Sequence, residues 1–141
     1  MKATLDHIGI AVRGLDEALA FYRDALGLEV SAAHDVPSER VRAVFVPVGE
    51  PALELLEATS SESAIARFVE RHGPGLHHIT LRVEDLDAAL AELRRRGVKL
   101  VDEVPRAGAH GSRVAFIHPS AAGGVLVELK QERTEVPGDR A

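Results

Sequence analysis

Residues 5–12 (LDHIGIAV) alternate in character: Ile8, Ile10 and Val12 form one set and His7, Gly9 and Ala11 the other, the period-2 signature of a strand with one face in a core. The period then lengthens. Asp16 with Leu19, Phe21, Tyr22 and Leu26 predicts an amphipathic helix, Tyr22 on its core side, that stops at Gly27. Extended segments follow at residues 28–32, 41–48 and 52–58. Residues 61–72 predict a second helix, with Ser61 as its cap and Ile65, Phe68 and Val69 on its apolar side, and Gly73-Pro74-Gly75 forms a joint.

After the joint the pattern starts again. Residues 76–91 (LHHITLRVEDLDAALA) repeat residues 5–20 (LDHIGIAVRGLDEALA) at a shift of 71, with nine of sixteen positions identical. Ile79, Leu81 and Val83 separate from His78, Thr80 and Arg82, and Asp87, Ala89, Leu90 and Leu93 predict a helix ending at Gly97. Residues 99–104, 113–118 and 125–131 predict three further strands. Each copy therefore reads β-α-β-β-β, module 1 over residues 3–58 and module 2 over 75–131, with a polar tail at 132–141 expected to fray. One such unit alone leaves an apolar sheet face uncovered. The expectation is a single α+β domain in which two tandem βαβββ modules form a strongly curved sheet around a cleft.

A length of 141 residues with 45% hydrophobic content suits one core of that kind and excludes two large domains. Twenty-two acidic against seventeen basic residues leave a net charge of -5, so no global positive field attracts nucleic acid or anionic lipid. No apolar run approaches the length of a membrane span, and residues 1–12 do not read as a secretory signal, so a cytoplasmic protein is expected. Cysteine is absent, which removes disulfides, thiolate nucleophiles and Fe–S clusters and leaves His and carboxylates as metal ligands.

Those ligands occur in matched places. His7 and His78 occupy the same repeat position, both off the apolar face, and His7 has small neighbours that leave room for a ligand. Glu54 and Glu128 sit in the corresponding LEL and VEL segments, 47 residues after His7 and 50 after His78. Two imidazoles and two carboxylates make an N₂O₂ set suited to a borderline divalent ion, with two positions open if octahedral. Taken singly, each reads as an ordinary half-buried histidine or edge-strand carboxylate. The repetition of all four is what selects the metal.

The blocks DHIGIAV at 6–12, FY at 21–22, ELLE at 54–57, GLHHITLRVEDLDAAL at 75–90, GAHGSRVAFIHP at 108–119 and GGVLVEL at 123–129 resemble the methylmalonyl-CoA epimerase family, within the vicinal oxygen chelate superfamily that includes glyoxalase. The likeness covers nearly the whole chain. It implies metal ligands at His7, Glu54, His78 and Glu128, a divalent ion (commonly Co²⁺, with Mn²⁺, Ni²⁺, Zn²⁺ or Mg²⁺ as alternatives), an acyl-CoA substrate and a homodimer. It also implies epimerisation of C2 of 2-methylmalonyl-CoA through a metal-stabilised enolate. The chain departs from the family at Ser38-Glu39-Arg40-Val41, where many members read Glu-Gln-Gly-Val, and at Ala43, where several carry a proton-transfer glutamate. Some members have glutamine where Glu54 stands.

Inversion at C2 is simplest with two bases on opposite faces, and Glu128 and Glu54 are the catalytic candidates. Arg106, His110 and Arg113, around Gly108 and Gly111, are expected to contact the substrate's thioester or carboxylate, against the alternative of a plain turn. Arg94-Arg95-Arg96 with Lys99 reads first as a helix C-terminus paired with its dipole, and second as a phosphate contact. His77 reads as structural and Glu57 as a solvent-side or edge residue. Competing functions are a glyoxalase-like lyase acting on a thiol hemithioacetal and a small-molecule sequestering module without catalysis. An extradiol dioxygenase fits less well, because its facial triad wants a single carboxylate.

Overall fold

The structure, a computed structural model, describes residues 1–133; the expected fraying of the tail beyond Arg133 falls outside the described residues. The fold is mixed α+β, built from β1 (Ala3–Val12), α1 (Leu15–Leu19) running on as a π-helical turn (Ala20–Ala25), β2 (His34–Val36), β3 (Val41–Pro47), β4 (Ala52–Ala58), α2 (Ala64–His72), β5 (Gly75–Val83), α3 (Leu86–Arg95), β6 (Arg106–Ala107), β7 (Arg113–Ile117) and β8 (Leu126–Gln131). The chain resolves into two compact units, Asp6–Ile79 and Met1–Leu5 with Thr80 onward.

In the Asp6–Ile79 unit the strand order is β2-β3-β4-β1-β5. β1 and β4 pair in parallel with Gly9 opposite Glu54 and Ala11 opposite Leu56, while β3 and β4 pair antiparallel with Phe45 opposite Glu54. Both faces of this sheet are used. On one, Ile10, Val12, Leu53, Leu55, Val44 and Val46 pack with Leu15 and Leu19 of α1, as the alternation of β1 predicts. On the other, Ala11, Ala43 and Leu56 pack beneath Ile65 of α2, which leaves only the His7 and Glu54 end of that face for polar chemistry. Ala43 is fully buried there, so position 43 is a packing position in this chain.

In the other unit the order is β5-β8-β7-β6, with β7 and β8 antiparallel and Phe116 opposite Glu128. Leu86, Ala89 and Leu90 of α3 are buried along with Val114, Ala115, Ile117, Val127 and Leu129 of the strands.

Several expected elements are displaced, for identifiable reasons. Residues 28–32 and 99–104 are not strands; the edge strands are instead the short β2 and β6. Leu28 and Val30 still turn into the core, but Ser31 Oγ accepts the Phe45 N–H at 2.9 Å, where a strand would offer a backbone carbonyl. Asp102, 71 residues on, does the same with its carboxylate to Phe116 N–H at 2.8 Å, while Leu100 bridges to Ile117 and Val101 N–H donates to the Phe116 carbonyl without extending into a strand. Short polar side chains compete with ladder bonding in this way. The cap of α2 is Ser63 rather than Ser61: its hydroxyl accepts from Ile65 N–H at 3.1 Å, because Ile65 is the first residue anchored in the core. Tyr22 packs on the core as predicted, but Leu26 is 53% exposed, since the wider π turn carries it off the buried stripe. Glu39 lies in the turn between β2 and β3 and not on a strand, where Arg40 adopts φ +54°.

Candidate metal centre

His7, Glu54 and His78 converge within the Asp6–Ile79 unit. His7 Nε2 lies 3.2 Å from His78 Nε2 and 3.5 Å from Glu54 Oε1, and His78 Nε2 lies 3.9 Å from the same oxygen. Each comes from a separate strand. His7 and Glu54 meet because the parallel register of β1 and β4 sets Glu54 beside Gly9, one same-face step from His7.

Gly9 is what admits the third ligand. A Cβ at this position would fall 2.1 Å from His78 Cε1 and 2.4 Å from its Nδ1, so the His78 ring lies against the bare glycine backbone. The small neighbours of His7 do leave room, and a protein side chain fills it. The repeat has Thr80 at the matching position, where its hydroxyl donates to Glu128 Oε1 at 2.6 Å.

The hydrogen bonds behind the ligands define their chemistry. Asp6 Oδ2 sits 2.7 Å from His7 Nδ1, and a carboxylate acceptor there favours the Nδ1–H tautomer, the one that turns a lone pair of Nε2 towards Glu54 and His78. His77 Nδ1 lies 2.9 Å from His78 Nδ1, while its ring packs edge-on against Phe68 of α2. The packing of His77 on Phe68 is the apolar placement the sequence implies, and the same ring touches a candidate ligand. Burial, then the neighbouring His77 and His7, push His78 down to about 3, and burial lowers His77 as well, so both rings are neutral at physiological pH.

A lone pair of His7, a neutral imidazole and a carboxylate oxygen aimed at one point are a donor set short of positive charge. Bonds of about 2.1 Å at 90–110° leave donors roughly 3.0–3.4 Å apart, close to the two shorter separations here. The residues fit a divalent ion.

The remaining sequence candidates lie in the other unit. Glu128 faces Phe116 across β7 and β8 and accepts from Thr80. Arg106 places its guanidinium 5.1 Å from the Phe116 ring centroid and 3.5 Å from Asp102. Arg113 makes two 2.9 Å bonds to the Asp87 carboxylate of α3, so its charge is already matched. His110 is exposed in the tight turn Ala109–Gly111 with φ +56°. Arg95 and Arg96 both pair with Glu92, which supports the helix-terminus reading of that run.

Three residues escaped the sequence reading: Asp6, Gly9 as the seat of His78, and Glu57. Glu57 is not an edge residue. Its carboxylate accepts from Leu15 N–H at 3.1 Å and caps α1, just as Gln131 caps α3 through Leu86 N–H at 2.8 Å. The signal for all three was the repeat itself, which sets Asp6 against His77, Gly9 against Thr80 and Glu57 against Gln131.

The chain is similar to known proteins over nearly its full length. Residues 6–116 match the Glyoxalase/Bleomycin resistance protein/Dioxygenase superfamily. The chain is 41% identical over 128 residues to the mitochondrial methylmalonyl-CoA epimerase of Homo sapiens, covering 90% of this chain and 73% of that one. It is 41% identical over 133 residues to the ethylmalonyl-CoA/methylmalonyl-CoA epimerase of Cereibacter sphaeroides, covering 93% and 99%. A solved methylmalonyl-CoA epimerase in complex with methylmalonyl-CoA and NH4+ superposes with a TM-score of 0.83 at 36% identity, over 95% of this chain and 97% of that one. With a repeated sheet unit, a His-Glu-His donor cluster and similarity over nearly its full length, the chain belongs to the Glyoxalase/Bleomycin resistance protein/Dioxygenase superfamily.

Proposed function

We propose that this protein is a methylmalonyl-CoA epimerase, a metal-dependent isomerase that inverts C2 of 2-methylmalonyl-CoA through an enolate. The observation that carries the reading is the convergence of His7 Nε2, His78 Nε2 and Glu54 Oε1 in a chain that is about 40% identical, over most of its length, to epimerases of this kind. His7, Glu54 and His78, with Glu128 as the fourth ligand, would hold the ion. The mixed imidazole and carboxylate donors suit a borderline first-row metal, and Co²⁺ is the ion proposed. When bound, it supplies the positive charge that lowers the energy of an enolate oxygen.

The chain's own residues handle the proton. Inversion removes the C2 hydrogen α to the thioester and returns a proton to the opposite face, with no redox step. Glu128, whose Oε1 accepts from the Thr80 hydroxyl, is the base on one face, acting from the carboxylate once it is released from the ion. Glu54 serves the other face. Arg106, backed by Phe116, orients the substrate's anionic end together with His110, and Arg113 contributes once its pair with Asp87 opens.

A second reading is supported by Glu54. Two carboxylates around a dication leave no net positive charge for a dianionic substrate, which suits a neutral hemithioacetal and glyoxalase-like isomerisation. Proton NMR in D₂O separates the two. The metal-loaded protein is expected to exchange the C2 proton of methylmalonyl-CoA and collapse the methyl doublet. No exchange, with the metal content verified, overturns the epimerase reading, and turnover of the glutathione–methylglyoxal adduct in its place establishes the second. Glu128→Ala is expected to slow exchange by about 100-fold or more; an unchanged rate removes Glu128 as the base and leaves the reaction class standing.

A further inference from the structure

Asp6 and His77 hold the same position in the two copies, 71 residues apart and one residue before each histidine ligand. Consecutive side chains on a strand point to opposite faces, so a contact between them is not a by-product of strand geometry. Here it occurs twice, Asp6 Oδ2 at 2.7 Å from His7 Nδ1 and His77 Nδ1 at 2.9 Å from His78 Nδ1. In both, the preceding side chain engages Nδ1 and the Nε2 atoms face each other at 3.2 Å.

We propose that Asp6 and His77 are paired positioning residues that accept a hydrogen bond from the Nδ1–H of His7 and His78, so that both rings present Nε2 to the metal. The proposal rests on the metal reading of the site. The two partners are chemically unequal. Asp6 accepts only, and fixes one tautomer of His7 while adding electron density to it. His77 is a neutral imidazole that can accept or donate, so it holds His78 without adding charge to a pocket that already contains Glu54. His77 is itself held in place by its edge-on contact with Phe68.

Zn²⁺ is the probe, because it is diamagnetic. In ¹⁵N-labelled full-length protein saturated with Zn²⁺, long-range ¹H–¹⁵N correlations are expected to place the proton on Nδ1 of both His7 and His78, with both Nε2 resonances shifted by the metal. A proton on Nε2 of either ring, or coordination through Nδ1, overturns the proposal. Chelator competition then gives affinities. His77→Phe, which keeps a ring against Phe68 but cannot accept, is expected to lose about 10- to 100-fold in Zn²⁺ affinity, as is Asp6→Ala. His77→Asn and Asp6→Asn, whose amide oxygens still accept, are expected to regain most of the loss, with Asp6→Asn the less complete for want of charge. Affinities of both deletion variants within two-fold of the parent, or losses that asparagine does not relieve, overturn the pairing. A parent chain that binds no Zn²⁺ overturns the metal reading itself, a result distinct from binding that is indifferent to Asp6 and His77. Should His77→Phe fail to fold, the tautomer spectrum of the parent decides alone.

Discussion

At the scale of the residue, the centre depends as much on what is missing as on what is present. His78 lies against the bare backbone of Gly9, and at the same repeat position the second copy carries Thr80, whose hydroxyl donates to Glu128. Gly9→Ala is therefore expected to displace the His78 ring, since the added Cβ and the ring would stand well inside van der Waals contact. The prediction is at least a 10-fold loss of Zn²⁺ affinity in chelator competition, in protein whose circular dichroism is unchanged. Parent-like affinity would show that the ring need not lie against Gly9. Glycine serves here as a cradle and not as a turn.

At the scale of the element, each βαβββ copy ties its last strand to its first helix through one side chain. Glu57 and Gln131 do this from matching positions, three residues beyond Glu54 and Glu128, and each takes the first N–H of its helix. A helix N-terminus leaves such donors without intrahelical partners, and α1 has only Gly14 at its cap position. Glu57→Ala is expected to cost about 1 kcal/mol in urea denaturation, in the range of cap deletions. Glu57→Gln, which imitates the arrangement in the second copy, is expected to cost little. Equal losses for the two variants would show that charge, and not the accepted hydrogen bond, is what matters.

At the scale of the whole molecule, neutral buried imidazoles make stability depend on pH. His78 is pushed down to about 3 from 6.5 by burial first and by His77 and His7 next, so below pH 6.5 the unfolded chain takes up a proton that the folded chain refuses. Stability contributed by this group is fully present above pH 6.5 and declines as the pH falls towards 3, by roughly 1 kcal/mol per pH unit for one imidazole. Burial of His77 acts in the same direction. Urea midpoints of metal-free protein are expected to fall between pH 7 and pH 5, and to fall less in His78→Asn. A midpoint in the parent that is flat over this interval would mean that His78 titrates normally. The grouping of the chain matters here too: by sequence His78 opens the second module, but the compact unit that contains it is Asp6–Ile79, together with His7 and Glu54.

The sequence by itself determined the repeat, the helix stops at Gly27 and Gly97, the core face of β1 and the pairing of His7 with His78, because all of these follow from local periodicity and from comparing the chain with itself. Glu54 was legible for the same reason. The edge segments at 28–32 and 99–104 were misread as strands because their alternation is real, while the choice of hydrogen-bond acceptor for Phe45 and Phe116 is made by Ser31 and Asp102 across the sheet edge. Periodicity reports burial and says nothing of which atom accepts a bond. Only the tertiary structure decided that Ala43 lies under α2, that Asp6 and His77 engage Nδ1, and that the space beside His7 belongs to the His78 ring. The first and last are distances between residues far apart in the chain, fixed by strand register and packing, and the contacts of Asp6 and His77 with their chain neighbours depend on side-chain orientations that the same packing sets; no local pattern encodes them.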